Sequence, residues 1–79
     1  MNVLVRYVAL LRDEGGLSEE SVETERRDLR GLYQELRARH AFSLAESRLQ
    51  VAVNDDFASW EQALHDGDQV VFLPPVAGG

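Results

Sequence analysis

The sequence predicts an α+β domain of two layers, in which one main helix packs on one face of a mixed sheet. Three observations carry that expectation. Alternating, β-branched segments lie at both ends of the chain, a single central segment switches to a helical apolar period, and 79 residues admit one small core. Apolar residues make up 44% and charged residues 28%, which separates the chain from disordered sequences. A domain of this length buries only roughly 60% of its unfolded surface, so it has material for a core but little for a deep enclosed pocket.

Asn2 to Val8 sets Val3, Val5 and Tyr7 against Leu4, Arg6 and Val8, the alternation of a strand. Ala9 to Glu14 reads as a short helix that stops at Gly15-Gly16, where a positive φ carries no steric penalty. A Glu-rich loop with Glu19, Glu20, Glu23 and Glu25 then passes into a weak strand around Ser21 to Glu25. From Asp28 the period changes. Leu29, Leu32, Tyr33, Leu36 and His40 form one apolar stripe along a helix that Asp28 caps, and Glu35 with Arg39 adds an i,i+4 pair. Gly31 in the first turn costs about 1 kcal/mol relative to alanine, so the stripe must pack to hold this helix.

Leu49, Val51 and Val53 mark a third strand that stops at Asn54-Asp55-Asp56. Phe57 to Trp60 carries no regular period, and Trp60 reads as core or rim packing. Asp66-Gly67 signals a turn before the last strand, Gln69 to Leu73, which Pro74-Pro75 ends because neither proline donates to a ladder. One helix covers one face of a sheet, and the long helical crossover allows the first and last strands to pair in parallel. That arrangement is a β-grasp, expected over residues 1–73 and followed by an extended tail over 74–79.

Eight basic against fourteen acidic residues give a net charge of -6, a field that repels phosphate backbones and anionic membranes. Nucleic acid and membrane are therefore not expected as partners, whereas a basic protein surface is. No lysine is present, so the chain offers no side-chain amine for acyl transfer onto itself, and Gly15-Gly16 cannot belong to a phosphate loop. Without cysteine there is no disulfide, thiolate metal site or iron-sulfur cluster. His40 and His65 lack further ligands at metal spacing, and Asp55-Asp56 and Asp66-Gly67-Asp68 read as solvated turns, so no metal site is expected. Ser43, Ser47 and Ser59 stand in no nucleophile context. The apolar run Tyr7 to Leu11 is too short for a membrane span or signal segment, which makes the cytoplasm the expected location.

The last six residues, Pro74, Pro75, Val76, Ala77, Gly78 and Gly79, are the most informative. Two prolines stiffen the exit from the sheet, and the residues beyond shrink toward a bare carboxylate. Six extended residues reach about 20 Å at ~3.3 Å each, enough to carry that carboxylate into another protein's active site. A narrow channel admits glycine where any Cβ would clash.

The stretch from Val53-Asn54 through Leu64 and Asp66-Gly67-Asp68-Gln69-Val70 to Leu73-Pro74-Pro75-Val76-Ala77-Gly78-Gly79 resembles the small-subunit family of molybdopterin synthase, ubiquitin-like sulfur carriers. Tyr7-Val8-Ala9-Leu10-Leu11-Arg12-Asp13 is similar to the first strand and following turn of the same family, while residues 18–47 match in pattern alone. The resemblance implies that an adenylyltransferase of the ubiquitin-activating type, using ATP and magnesium, adenylates the Gly79 carboxylate. A sulfur donor protein then supplies the sulfur of a Gly79 thiocarboxylate. That sulfur passes to cyclic pyranopterin monophosphate held in a large subunit, during molybdenum cofactor biosynthesis. In this scheme the isolated chain is not itself an enzyme and binds no cofactor, and two small subunits flank a dimer of large ones. The alternatives are a β-grasp sulfur carrier for thiazole, cysteine or tRNA thiolation, or a ubiquitin-like protein modifier.

The strand patterns point to a partner independently of that family. Leu4 and Val8 lie opposite Val3, Val5 and Tyr7, and Val71 and Leu73 lie opposite Val70 and Phe72, so both sheet faces are apolar. The helix covers one. Leu4, Val8, Val71 and Leu73 are expected to form the partner interface, with the tail extending from it, unless a loop or the Phe57 to Trp60 segment folds over them.

Overall fold

The computed structural model describes residues 1–75; Val76, Ala77, Gly78 and Gly79, on which the expected tail chemistry falls, lie outside the described residues. Strand β1 (Asn2–Tyr7) leads through helix α1 (Ala9–Gly15) to β2 (Glu19–Glu23), then to helix α2 (Leu29–His40), a 3₁₀ turn (Glu46–Arg48), β3 (Gln50–Val53), β4 (Asp56–Ala58) and β5 (Gln69–Leu73). The five strands form one sheet in the order β2-β1-β5-β3-β4. The first and last strands run parallel at its centre, with Leu4 beside Gln69 and Tyr7 beside Phe72, while every other pairing is antiparallel. This is the mixed sheet expected from the sequence, with α2 on one face.

Helix α2 spans the residues its apolar stripe marks. Leu29, Leu32, Tyr33 and Leu36 are buried, and the Asp28 carboxylate accepts the Gly31 N–H at 2.8 Å. Gly31 belongs to that cap, because a Cβ at this position would stand 3.1 Å from Asp28 Oδ1 and 3.4 Å from the Arg26 side chain. The helix ends at Ala41, a non-glycine residue held at φ 58. Its apolar face meets Val3, Val5, Tyr7, Val22, Val51, Val70 and Phe72 from the sheet in one continuous core.

The acidic stretch corrects the sequence reading. It begins a strand at Glu19 rather than a loop, since only alternate residues must be apolar where one face is wet. Glu19, Ser21 and Glu23 face solvent while Val22 is buried. Glu20 faces inward and is satisfied there by Tyr7 and His40, so its polarity conceals an inward-facing position. Strand β4 is a second difference. Asn54 and Asp55 adopt φ 51 and 74, the left-handed pair of a tight two-residue hairpin, so this turn joins two strands instead of only ending one.

Trp60 packs on the helix side, its ring stacked on Phe72 at a centroid distance of 5.9 Å and 7° between planes. The backbone around it is tied to the start of α2 by Arg30 N–H donating to the Trp60 carbonyl at 3.0 Å.

Candidate interaction site

Directly paired residues on adjacent strands share a sheet face. Glu19 pairs Arg6, Arg6 pairs Val71, Val71 pairs Ala52 and Ala52 pairs Phe57, which traces one row across the face opposite α2. Leu4 and Leu73 lie on that face by alternation. Val8 continues it with an extended backbone at φ -128 and ψ 157, immediately before α1. Leu4, Val8, Val71 and Leu73 are each half-buried on that face, the side of the sheet opposite α2. The structure thus brings together all four residues singled out as an apolar face.

Phe57 is the residue that sequence reasoning missed. It is 72% exposed and lies on the same face at the β4 edge. Its signal was present in the spacing: Ala52 and Phe57 stand symmetrically about Asn54-Asp55, so reading those two residues as a hairpin turn assigns both to one face. The Phe57 to Trp60 segment therefore divides between the two sides of the sheet instead of covering the open one. Arg6 and Glu19 border the apolar row as an exposed ion pair at 3.5 Å. At such exposure the pair is worth at most about 1 kcal/mol, so it affects recognition more than stability.

Strand β5 runs through this face and ends at Leu73, where Pro74 is half-buried and Pro75 exposed. Because β5 is central and hydrogen-bonded on both sides, the point at which the chain leaves the sheet is fixed in space. The reactive position expected at Gly79, with Gly78, Ala77 and Val76, falls beyond the described residues.

On the covered side, polar groups serve the fold. The Tyr7 hydroxyl donates to Glu20 Oε2 at 2.6 Å, His40 Nε2 meets the same oxygen at 2.6 Å, and Arg39 lies 3.7 Å from Oε1. Burial, then the carboxylate it bonds, pushes the Tyr7 hydroxyl far above its ordinary range. For Glu20, burial favours the neutral acid, but the hydrogen bonds from Tyr7 and His40 and the nearby Arg39 charge outweigh it and hold the carboxyl below its usual value. The Tyr33 hydroxyl donates to the Leu44 carbonyl at 2.7 Å, and burial pushes its pKa up to about 12. The Tyr7–Glu20–His40 cluster joins two strands to the end of α2, and the Tyr33 bond ties α2 to the connection that follows it. Among the described residues no group of three or more His, Asp or Glu side chains is placed to hold a metal ion, and no helix is long and apolar enough to cross a membrane.

A mixed sheet gripping one main helix, its first and last strands parallel at the centre, defines a ubiquitin-like β-grasp protein. The chain belongs to the ThiS family, whose model matches residues 5–79. It is 34% identical over 80 residues to the molybdopterin synthase sulfur carrier subunit of Escherichia coli, covering 98% of this chain and 99% of that one. Among solved structures, a Pyrococcus furiosus protein assigned as molybdopterin converting factor subunit 1 superposes with a TM-score of 0.80 at 35% identity, covering 95% of this chain and 98% of the other. A Helicobacter pylori complex of subunits 1 and 2 of molybdopterin-converting factor matches with a TM-score of 0.69 at 26% identity, over the full length of both chains.

Proposed function

We propose that this chain is the sulfur-donating small subunit of a molybdopterin synthase. The observation that carries this reading is the likeness to the E. coli sulfur carrier subunit along essentially the whole of both chains, with the family match running through Gly79. In the proposed cycle the Gly79 carboxylate attacks the α-phosphate of ATP on an activating partner, with magnesium assisting departure of pyrophosphate. The resulting acyl adenylate is a strong electrophile. Sulfur delivered at the sulfide level by a donor protein attacks the acyl carbon and expels AMP, leaving a Gly79 thiocarboxylate that is anionic at neutral pH and more nucleophilic than the carboxylate it replaces.

The thiocarboxylate then donates sulfur to cyclic pyranopterin monophosphate in a large subunit, and two such transfers build the dithiolene. The large subunit supplies the pocket and the basic groups that hold the pterin phosphate, a division that suits a small subunit of net charge -6. Leu4, Val8, Val71 and Leu73 dock against it, with Phe57 extending the contact, and Pro74-Pro75 aims the tail from that face. The H. pylori pairing of subunits 1 and 2 supports such an assembly, and we place it in the cytoplasm with two small subunits flanking a dimer of large ones.

Intact-mass measurement after incubation with the activating enzyme, ATP, magnesium and a sulfur donor tests the first half of the cycle. The expected product carries one sulfur in place of one oxygen at the final residue. An unchanged mass alongside a control carrier that is converted would contradict the reading.

A further inference from the structure

The antiparallel pairing of β3 with β5 ends at Gln50 opposite Leu73, and the 3₁₀ turn just before β3 lies alongside the two prolines just after β5. Ser47, Arg48, Gln50, Leu73, Pro74 and Pro75 line a cavity of about 300 Å³ at the foot of the tail. Arg48 is the one charged side chain in that lining. Its backbone is anchored: Arg48 N–H donates to the Ala45 carbonyl at 3.0 Å, Leu49 N–H donates to the Glu46 carbonyl at 3.0 Å, and the Leu49 side chain is buried in the core. Arg48 itself is exposed on that anchored backbone.

Six of the eight arginines are engaged. Arg6, Arg12, Arg26, Arg30 and Arg39 each form ion pairs, and Arg37 donates to the carbonyls of Phe42 and Ser43. Glu46, the carboxylate closest to Arg48 in sequence, is held by Arg30 and Gln34. Among the described residues Arg27 and Arg48 have no side-chain acceptor, and Arg48 is the one that lines the cavity at the foot of the tail. A guanidinium presents a rigid fork of donors whose matching acceptor is a carboxylate, and on a surface of net charge -6 an unpaired cation marks where the complementary charge is reversed.

We propose that this cavity is a socket for the synthase large subunit, in which Arg48 pairs with a carboxylate side chain of that partner and sets the register in which Pro74-Pro75 leads the tail inward. The acidic surface attracts a broadly basic partner. The one reversed charge at the tail's foot then selects the docking pose that brings an acidic group there. The inference deepens the proposed function and rests on it.

The test is titration of purified large subunit with wild-type chain, Arg48→Glu, Arg48→Gln, Arg48→Lys and, as a charge-matched control, Arg27→Glu on the β2–α2 connection. Arg48→Glu is expected to weaken binding on the order of tenfold at low salt, with the deficit shrinking at about 0.5 M salt. Arg48→Gln falls between, and Arg48→Lys stays within about threefold of wild type because the charge is kept and the fork is lost. Arg27→Glu leaves affinity within about twofold, and all variants unfold like wild type because among the described residues neither arginine makes an internal side-chain bond. Unchanged affinity in Arg48→Glu overturns the socket, as does an equal loss in Arg27→Glu, which would reduce the effect to net charge. Failure of the wild-type chain to bind the large subunit removes the functional reading itself, whereas normal wild-type binding with an indifferent Arg48→Glu removes the socket alone.

Discussion

The two faces of the same sheet are built from neighbouring residues and differ in what completes them. On β5, Val70 and Phe72 have no exposed surface beneath α2, while Val71 and Leu73, which alternate with them, remain half-buried on the far side. Strand β1 repeats the contrast, with Val3, Val5 and Tyr7 covered and Leu4 left open. Polar groups follow the same division: those under the helix are satisfied within the domain, whereas the Arg6–Glu19 pair on the open face lies in water. An apolar face that the fold does not use is surface available for association, and here the terminal strand runs through it.

Substitutions at adjacent residues break this contrast most directly. Phe72→Ala removes a ring packed against Tyr33 and Trp60 and should cost about 3–5 kcal/mol in denaturant unfolding, with loss of the native Trp60 fluorescence. Val71→Asp, one residue away, should leave stability within about 1 kcal/mol yet weaken binding to the large subunit by at least about a hundredfold, because it places a charge at the centre of a desolvating patch. If Val71→Asp unfolds the domain, or binds as wild type does, the open face is not the interface.

Much of this contrast could be read from apolar periodicity: alternation marks both faces of β1 and β5, and the helical stripe marks the whole of α2 from Leu29 to His40. The parts that escaped were those whose polarity is paired from a distance or whose length is minimal. Glu20 looks like a solvent residue until Tyr7 and His40, distant in sequence, are brought to it. Strand β4 has three residues, too few for any period, and only the left-handed Asn54-Asp55 pair betrays it. Phe57 was lost with β4. Arg48 carries no local signal, because its significance comes from the pairing that lays the 3₁₀ turn beside the prolines.

Two smaller effects sharpen the account of the covered face. The Glu20 carboxyl is held below its ordinary value of 4.5 in the folded state, so its contribution to stability is present above that value and is lost as pH falls through the lower folded one. Glu20→Gln should therefore cost about 1 kcal/mol near neutrality and progressively less in acid, as followed by thermal unfolding across pH. A constant deficit at all pH values would show that the charge does not matter. At the end of α2, Ala41→Gly should raise stability by about 0.5–1 kcal/mol, since φ 58 strains alanine and not glycine. Neither substitution should alter affinity for the large subunit, because both lie away from the open face.

The central claim is that the reactive group is the final carbonyl of Gly79, delivered from the open face into a site another protein supplies. Sulfur transfer to cyclic pyranopterin monophosphate by the reconstituted pair, comparing the thiocarboxylated chain with a chain lacking Gly79, tests it most directly. The account predicts dithiolene formation with the first and none with the second; product formed by the chain without Gly79 would contradict it.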